Sequence, residues 1–328
     1  RGLYAVPGLW DAHTHVLQED SGLTTQQLVP LLLAQGITHA RDMSSSLEAR
    51  RAFRAWVSGD SALAPEVLAP GPALWAERLP YGDKRRQVVA TTAAELASVL
   101  DSLVRDSVDF VKVYSGFTPD MLAQLGDMAR ARGLVLAGHV QDGATLAQHA
   151  QAGFRTIEHV DLSTFADCGV DPVPFFERVI AARFGGSTET VPGVYVAFGA
   201  AVNRERCLQV LANARTLGLV LTPTLVATFA TPEDVGALDS ASMPAVVRAD
   251  CARFLTDFAR SSPAERTAFQ AVGLSLTRLA KDAGLPLLVG TDGPVFCSVP
   301  GANYALELQL LARAGLTPLE ILQAATLR

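Results

Sequence analysis

Two histidines one residue apart, His13 and His15, close the segment Pro-Gly-Leu-Trp-Asp-Ala-His-Thr-His at positions 7–15. Side chains two apart on an extended chain share one face, so both imidazoles can converge on one ion. Three other apolar runs end in a residue that can ligate a metal: His139 after Leu-Val-Leu-Ala-Gly, His159 after Phe-Arg-Thr-Ile-Glu, and Asp292 after Leu-Leu-Val-Gly-Thr. Imidazoles with a carboxylate suit Zn²⁺ or a similar divalent cation. Singly, each has a plainer explanation. His139 could be a core histidine bonded to a carbonyl, His159 could be held by neighbouring Glu158, and Asp292 could cap a helix. Four strand ends agreeing favour the metal.

Lys112 lies in Asp-Phe-Val-Lys-Val-Tyr (109–114), where alternation puts Lys112 and Tyr114 on the same inward face. An ammonium has no lone pair for a metal. Burial lowers its pKa and favours the neutral amine, which can add carbon dioxide to give a carbamate able to bridge two cations. The plainer alternative is a lysine that reaches solvent or pairs with Asp292. His39, in mid-strand, and His149, in a helix over 144–152, receive no role. Asp42 reads as the partner of Arg41 in a structural ion pair.

Something must bring these residues together. A helix ending at glycine and followed at once by an apolar strand recurs at Gly36, Gly133, Gly153, Gly218 and Gly284. Glycine suits the left-handed position that closes a helix, and a short link is what an αβ connection needs. Helix starts are legible as the capping boxes Thr92–Glu95 and Thr317–Glu320 and as Thr118-Pro119. Eight strands are expected, near Trp10, His39, Leu68, Val111, Leu136, Ile157, Leu221 and Val289. Parallel strands alternating with helices leave an open doubly wound sheet or a closed barrel. Neither GxGxxG nor a P-loop occurs, which counts against the open sheet. The expectation is therefore one (β/α)₈ TIM barrel over residues 1–328, whose strand ends surround a single site. The long connections 159–219 and 225–285 carry helical periodicity and read as insertions over the mouth.

With 49% hydrophobic and 18% charged residues, the chain has ample apolar side chain for such a core. Its net charge of −6 and lack of a basic stripe exclude a nucleic-acid partner. No apolar run is long enough to span a bilayer; the stretch 28–33, interrupted by Pro30, reads as a buried helix. Cys168, Cys207, Cys251 and Cys297 form no CxxC pair and read as ordinary thiols. The sequence opens at Arg1 without Met, so the cytoplasm is only a default and a preceding signal peptide is compatible.

The pattern resembles the amidohydrolase superfamily, in its imidazolonepropionase-related and prolidase-like branch. The matching pieces are Val-Pro-Gly-Leu-Trp-Asp-Ala-His-Thr-His (6–15), Gly-Ile-Thr-His-Ala-Arg-Asp (36–42), Phe-Val-Lys-Val-Tyr (110–114), Gly-His-Val (138–140) and Glu-His-Val (158–160). Thr-Pro-Thr-Leu (222–225), Gly-Thr-Asp (290–292) and Ala-Gly-Leu-Thr-Pro-Leu-Glu (314–320) follow in the family's order. The resemblance implies a binuclear site: His13, His15 and Asp292 on one metal, His139 and His159 on the other, carboxylated Lys112 between them. It implies attack on a substrate carbonyl by a metal-activated hydroxide, with Asp292 carrying the proton to the leaving nitrogen. Such enzymes usually add a small β-sandwich built from both termini, which this chain is expected to lack.

The expected activity is hydrolysis of an amide or related C–N bond in a small molecule, a dipeptide or N-acyl amino acid, by a possible homo-oligomer. Tyr114 is a candidate to bind a substrate carboxylate or the tetrahedral oxyanion. A mononuclear deaminase or cyclic-amide hydrolase on the same scaffold is the alternative. It would need a glutamate after the fifth strand, where the sequence offers Val-Gln-Asp-Gly-Ala-Thr and Asp142 reads as a helix N-cap. A non-catalytic binding scaffold is the remote third reading.

Overall fold

The computed structural model describes residues 5–17, 23–59, 64–77, 84–236, 245–294, 297 and 301–326. Parallel strands alternate with helices in an α/β fold. Strands β1 (Leu9–Thr14), β2 (Ile37–Asp42) and β3 (Glu66–Leu68) form one sheet in that order. Strands β4 (Ala73–Trp75), β5 (Gln87–Val89), β6 (Val111–Val113), β7 (Leu136–Gly138), β8 (Phe154–Glu158) and β9 (Val220–Thr222) form a second, ordered β5-β4-β6-β7-β8-β9. The strand expected near Leu68 is thus two pieces. Pro70-Gly71-Pro72 interrupts it, because proline gives the ladder no N–H. β3 pairs with β2 and β4 with β6, so this broken strand carries the chain from one sheet to the other.

The expected eighth strand, near Val289, is also reduced. Residues there form the isolated bridges Leu221↔Leu287 and Thr14↔Gly293 and scattered backbone hydrogen bonds such as Ala12 N–H to the Val289 carbonyl, so the described sheets do not close into one continuous ladder. The cause is local: the N–H groups of Thr291 and Asp292 both turn to the His13 carbonyl, and Asp292 adopts φ 58°.

Helices α1 (Thr25–Ala34), α2 (Leu47–Gly59), α3 (Ala93–Arg105), α4 (Pro119–Arg130) and α5 (Leu146–Ala152) separate the early strands. α1 carries Pro30 inside it, as read from sequence. The capping box at Thr92 and Glu95 and the cap at Thr118 form as expected, and all five helix-closing glycines have positive φ. Between β8 and β9 lie a 3₁₀ turn (Ala166–Cys168), α6 (Val173–Arg183), α7 (Val191–Ala201) and α8 (Arg204–Thr216). After β9 come α9 (Leu225–Thr228), α10 (Pro232–Gly236), α11 (Ala245–Thr256) and α12 (Pro263–Asp282), then α13 (Tyr304–Arg313) and α14 (Pro318–Thr326). Both long connections are therefore helical insertions.

The cysteines correct the sequence reading. Cys168 is disulfide-bonded to Cys207 and Cys251 to Cys297, with Cα separations of 4.4 and 4.1 Å. Their spacings of 39 and 46 residues hid the pairing, since nothing local marks two cysteines that meet only through tertiary structure. No described helix is long and apolar enough to cross a membrane.

Candidate metal centre

All six expected ligand positions lie at one end of the parallel strands. His13 is in β1, Lys112 in β6, His139 follows β7 and His159 follows β8; Asp292 follows the bridged segment beside β1. Register links neighbours directly: Lys112 is opposite Ala137 and Gly138 opposite Ile157. Gly138 is required there, because a Cβ would lie 2.0 Å from the Val113 carbonyl oxygen. His159 and Asp292 have φ of 71° and 58°, left-handed values uncommon for such residues and often held at functional sites.

The donors form two groups. Asp292 Oδ1 lies 3.1 Å from His13 Nε2 and 2.9 Å from His15 Nε2. His139 Nε2 faces His159 Nε2 at 3.1 Å. One donor atom from each of His13, His159 and Asp292 lies within 4.8 Å of the others, so the two groups adjoin.

Hydrogen bonds fix which nitrogens are free. His13 Nδ1 donates to Glu158 Oε2 at 2.8 Å, leaving Nε2 as the lone-pair atom towards Asp292. Thr224 donates its hydroxyl proton to the Pro223 carbonyl and accepts from His159 Nδ1 at 2.7 Å. The His159 lone pair therefore sits on Nε2, towards His139. Burial holds both His139 and His159 below the usual histidine range, the latter at about 3, so they are neutral donors. Burial also lowers His15, whose Nδ1 has no partner among the described residues. For Asp292, burial alone would raise the pKa, but His13, His15 and His159 hold it well below the carboxylate range. Neutral imidazoles aimed at each other and an ionised carboxylate fit divalent cations.

Lys112 is 1% exposed, and no described carboxylate lies within ion-pair distance of its Nζ. It neither reaches solvent nor pairs with Asp292. Burial brings its pKa down to about 8, against the pull of Glu158 and Asp292, so a sizeable fraction is a free amine near neutral pH. Nζ lies 5.8 Å from the Tyr114 ring centroid. That ring stacks on Trp75 at 3.9 Å and lies 4.2 Å from His139, so Tyr114 is fixed beside the donors.

Sequence reasoning missed the groups that hold the ligands. Glu158 does not hold His159, as proximity suggested; it holds His13, while its other oxygen accepts from Arg41 at 2.7 Å and Thr156 at 2.6 Å. Arg41 accordingly is no partner of Asp42. Arg41 binds the Ala12 carbonyl, Thr156 and Glu158, and Asp42 is buried, accepting from the Leu17 N–H. Asp11, fully buried, accepts from the Thr291 N–H and hydroxyl and so anchors the segment before Asp292. Asp142 is not an N-cap: Thr145 caps α5, and Asp142 accepts from the Ser163 hydroxyl. His149, given no role, accepts from the Gln141 N–H, and the Gln141 amide holds the carbonyls of His139 and Tyr114. His39 stacks on Trp10, away from the donors. A threonine after Thr-Pro and an arginine inside an apolar strand were the available signals for Thr224 and Arg41.

Two cavities flank Tyr114. One, of about 450 Å³, runs past His139, Gln141 and Asp142 to Glu77; the other, of about 260 Å³, touches His159 and Asp292.

Comparison with known proteins agrees with this geometry. Bottromycin amidohydrolase superposes with a TM-score of 0.69 at 22% identity, covering 97% of this chain and 65% of its own. A putative prolidase from Bifidobacterium longum gives 0.60 at 23%, covering 97% and 67%. A. niger ochratoxinase gives 0.59 at 20%, covering 97% and 69%. This chain thus spans about two-thirds of the length of these structures. No curated protein matches. The model of the amidohydrolase family, a family of TIM-barrel enzymes that are generally metal-dependent, matches residues 4–328, and the chain belongs to that family.

Proposed function

We propose that the protein hydrolyses an amide or related C–N bond of a small molecule, of the dipeptide or N-acyl amino acid kind, with two divalent cations, zinc suiting the donors best. His13, His15 and Asp292 would hold one, His139 and His159 the other, with Lys112 between as a carbamate. Lys112 carries the reading. A buried amine lacking a carboxylate partner among the described residues, opposite Ala137 on the strand that leads to His139, is costly as an ammonium and useful as a carbamate. Neutral Nζ forms an N–C bond with carbon dioxide as one C=O π bond breaks, and nitrogen sheds a proton, giving one negative charge shared by two oxygens. Cations so held would bring the pKa of water towards neutrality and polarise a carbonyl.

The remaining work falls to this chain's own side chains. Asp292, whose Oδ1 lies within 3.1 Å of His13 and His15, would take the proton of the attacking water and return it to the leaving nitrogen. Tyr114, beside His139 and lining both cavities, would bind a substrate oxygen. The named neighbours include a prolidase complexed with N-methylphosphonate-L-proline and a Xaa-Pro dipeptidase, which supports an amide substrate. The deaminase alternative loses ground because Asp142 is bonded to Ser163 and Gln141 is committed to backbone carbonyls. The two disulfides favour an oxidising compartment over the cytoplasmic default.

The test is metal analysis of protein purified without chelators, then a screen of the zinc-loaded form on dipeptides, N-acyl amino acids and lactams. Close to two equivalents and turnover of one class are expected. One equivalent with full activity would move the protein to the mononuclear branch, and inertness of the fully loaded protein on every class would end the proposal.

A further inference from the structure

The smaller cavity has walls drawn almost entirely from the helical insertions. Tyr195 comes from α7, Phe254 from α11, Phe258 from the turn after it, and Phe269 from α12; His159, Asp292 and Tyr114 form the inner end. The rings brace one another. Tyr195 meets Phe269 edge-on at 5.4 Å and Phe229 at 5.5 Å, while Phe258 meets Phe254 at 5.2 Å and Phe269 at 5.7 Å. Edge-to-face contacts of this kind set ring orientation as well as burying area. The Cys251–Cys297 disulfide ties α11 to the segment beyond Asp292, so the aromatic wall is joined covalently to chain next to the metal donors.

Size and charge restrict what enters. A dry cavity of roughly 150 Å³ with apolar walls already accepts benzene. At about 260 Å³ this one takes a phenyl group together with the atoms that tether it. The cation on its wall, Arg183, is already matched, donating to both oxygens of Asp257 at 2.7–3.2 Å. The other charged groups lining it are Asp161 and Asp292, beside the histidine of the inner end. Asp292 belongs to the proposed metal centre; away from that centre a substrate carboxylate would meet Asp161 and the already paired Arg183, with no unmatched cation among the described lining residues, so the group that fits there is uncharged. The Tyr195 hydroxyl has no hydrogen-bond partner among the described residues, and burial together with Asp161 raises its pKa, so it stays protonated and can only donate or accept weakly as a neutral phenol.

We infer that this pocket selects substrates carrying an aromatic or equally bulky uncharged group next to the scissile bond, with the Tyr195 hydroxyl donating to a neutral acceptor on that substrate. The inference rests on the hydrolase reading above and deepens it. Tyr195 is then a specificity residue that an insertion, and not the barrel, supplies.

The experiment compares Phe-Gly with Ala-Gly and Gly-Phe with Gly-Ala, each as the C-terminal amide, on the zinc-loaded protein. Calorimetry measures binding of 3-phenylpropanamide and propanamide in parallel. At one of the two positions phenyl should raise kcat/KM by at least ~10-fold over methyl, since pockets discriminate roughly 10–200-fold even per methylene. 3-Phenylpropanamide should bind correspondingly tighter. Phe258→Leu, which keeps an apolar wall, should lower the ratio of phenyl to methyl kcat/KM. Tyr195→Phe should weaken 3-phenylpropanamide by about 3–10-fold, the span of one net hydrogen bond. Hydrolysis with equal rates and equal binding for phenyl and methyl would overturn the pocket while leaving the hydrolase reading intact. Tight phenyl binding without any hydrolysis would keep the pocket and remove the hydrolase. Unchanged binding in Tyr195→Phe would overturn the role of the hydroxyl.

Discussion

Replacing Glu158 by glutamine separates a charge that organises the metal centre from its shape. Its carboxylate is fully buried and accepts three hydrogen bonds, from His13 Nδ1 at 2.8 Å, Arg41 at 2.7 Å and Thr156 at 2.6 Å. Burial alone would raise its pKa, but Arg41 and His13 outweigh that and keep it ionised. An amide of the same shape has one acceptor oxygen and an NH₂. Facing Arg41 with the oxygen turns the NH₂ at His13, donor against donor; the reverse does the same to Arg41. In the first arrangement His13 loses the bond that sets its tautomer, and partners of this kind are typically worth 10–100-fold in metal affinity, or roughly 1.4–2.7 kcal/mol. In either, the largely buried Arg41 guanidinium loses its counter-charge, and in the second its hydrogen bond as well, at a cost of about 3–5 kcal/mol. With an unfolding entropy near 2.1 cal/mol/K per residue, that is a Tm lower by roughly 4–7 °C for a chain of 328 residues. Chelator competition reads the first effect, and thermal unfolding of metal-free protein reads the second. Glu158→Asp, which keeps the charge, should fall between wild type and Glu158→Gln in both. Metal affinity within twofold and Tm within about 1 °C of wild type would refute the idea that Glu158 fixes His13 against Arg41.

Three further outcomes follow from the same geometry. Lys112→Ala should lose activity and most of the bound metal, with partial rescue by acetate or propionate, because a carbamate is chemically a carboxylate; turnover within a few fold of wild type would end the carbamate assignment. Asp292→Asn, with metal content measured alongside, should lower kcat by ~10²–10⁴-fold and leave KM little changed, since an amide cannot take a proton near neutral pH; near-normal kcat at full metal loading would show that another group carries the proton. Reduction of Cys168–Cys207 and Cys251–Cys297, which close loops of 39 and 46 residues, should remove up to about 4 kcal/mol each by loop entropy and lower Tm measurably; an unchanged Tm after complete reduction, verified by thiol titration, would contradict the pairing.

What the sequence made legible is what strand geometry alone dictates. His13 and His15 share a face because they are two apart, and His139, His159 and Asp292 meet because each ends an apolar run in a fold whose strand ends face one way. Lys112 was legible through the cost of burying it, which does not depend on its neighbours. The broken strand at Pro70-Gly71-Pro72 could have been read from the two prolines, which the expectation of a single strand near Leu68 passed over.

The supporting groups were not legible, and the reason is physical. A ligand's position follows from topology, whereas its hydrogen-bond partner follows from register and rotamer across strands far apart in the chain. His13 and Glu158 are separated by 145 residues, Arg41 and Glu158 by 117, His159 and Thr224 by 65. Glu158 shows the trap most clearly. It adjoins His159 in sequence, yet His159 leaves the strand with φ 71°, so the carboxylate bonds His13 and Arg41 while the imidazole meets His139. It follows that the ion pair between Glu158 and Arg41 ties β8 to β2 beneath the metal donors, and that the centre's geometry depends on those two strands keeping their register.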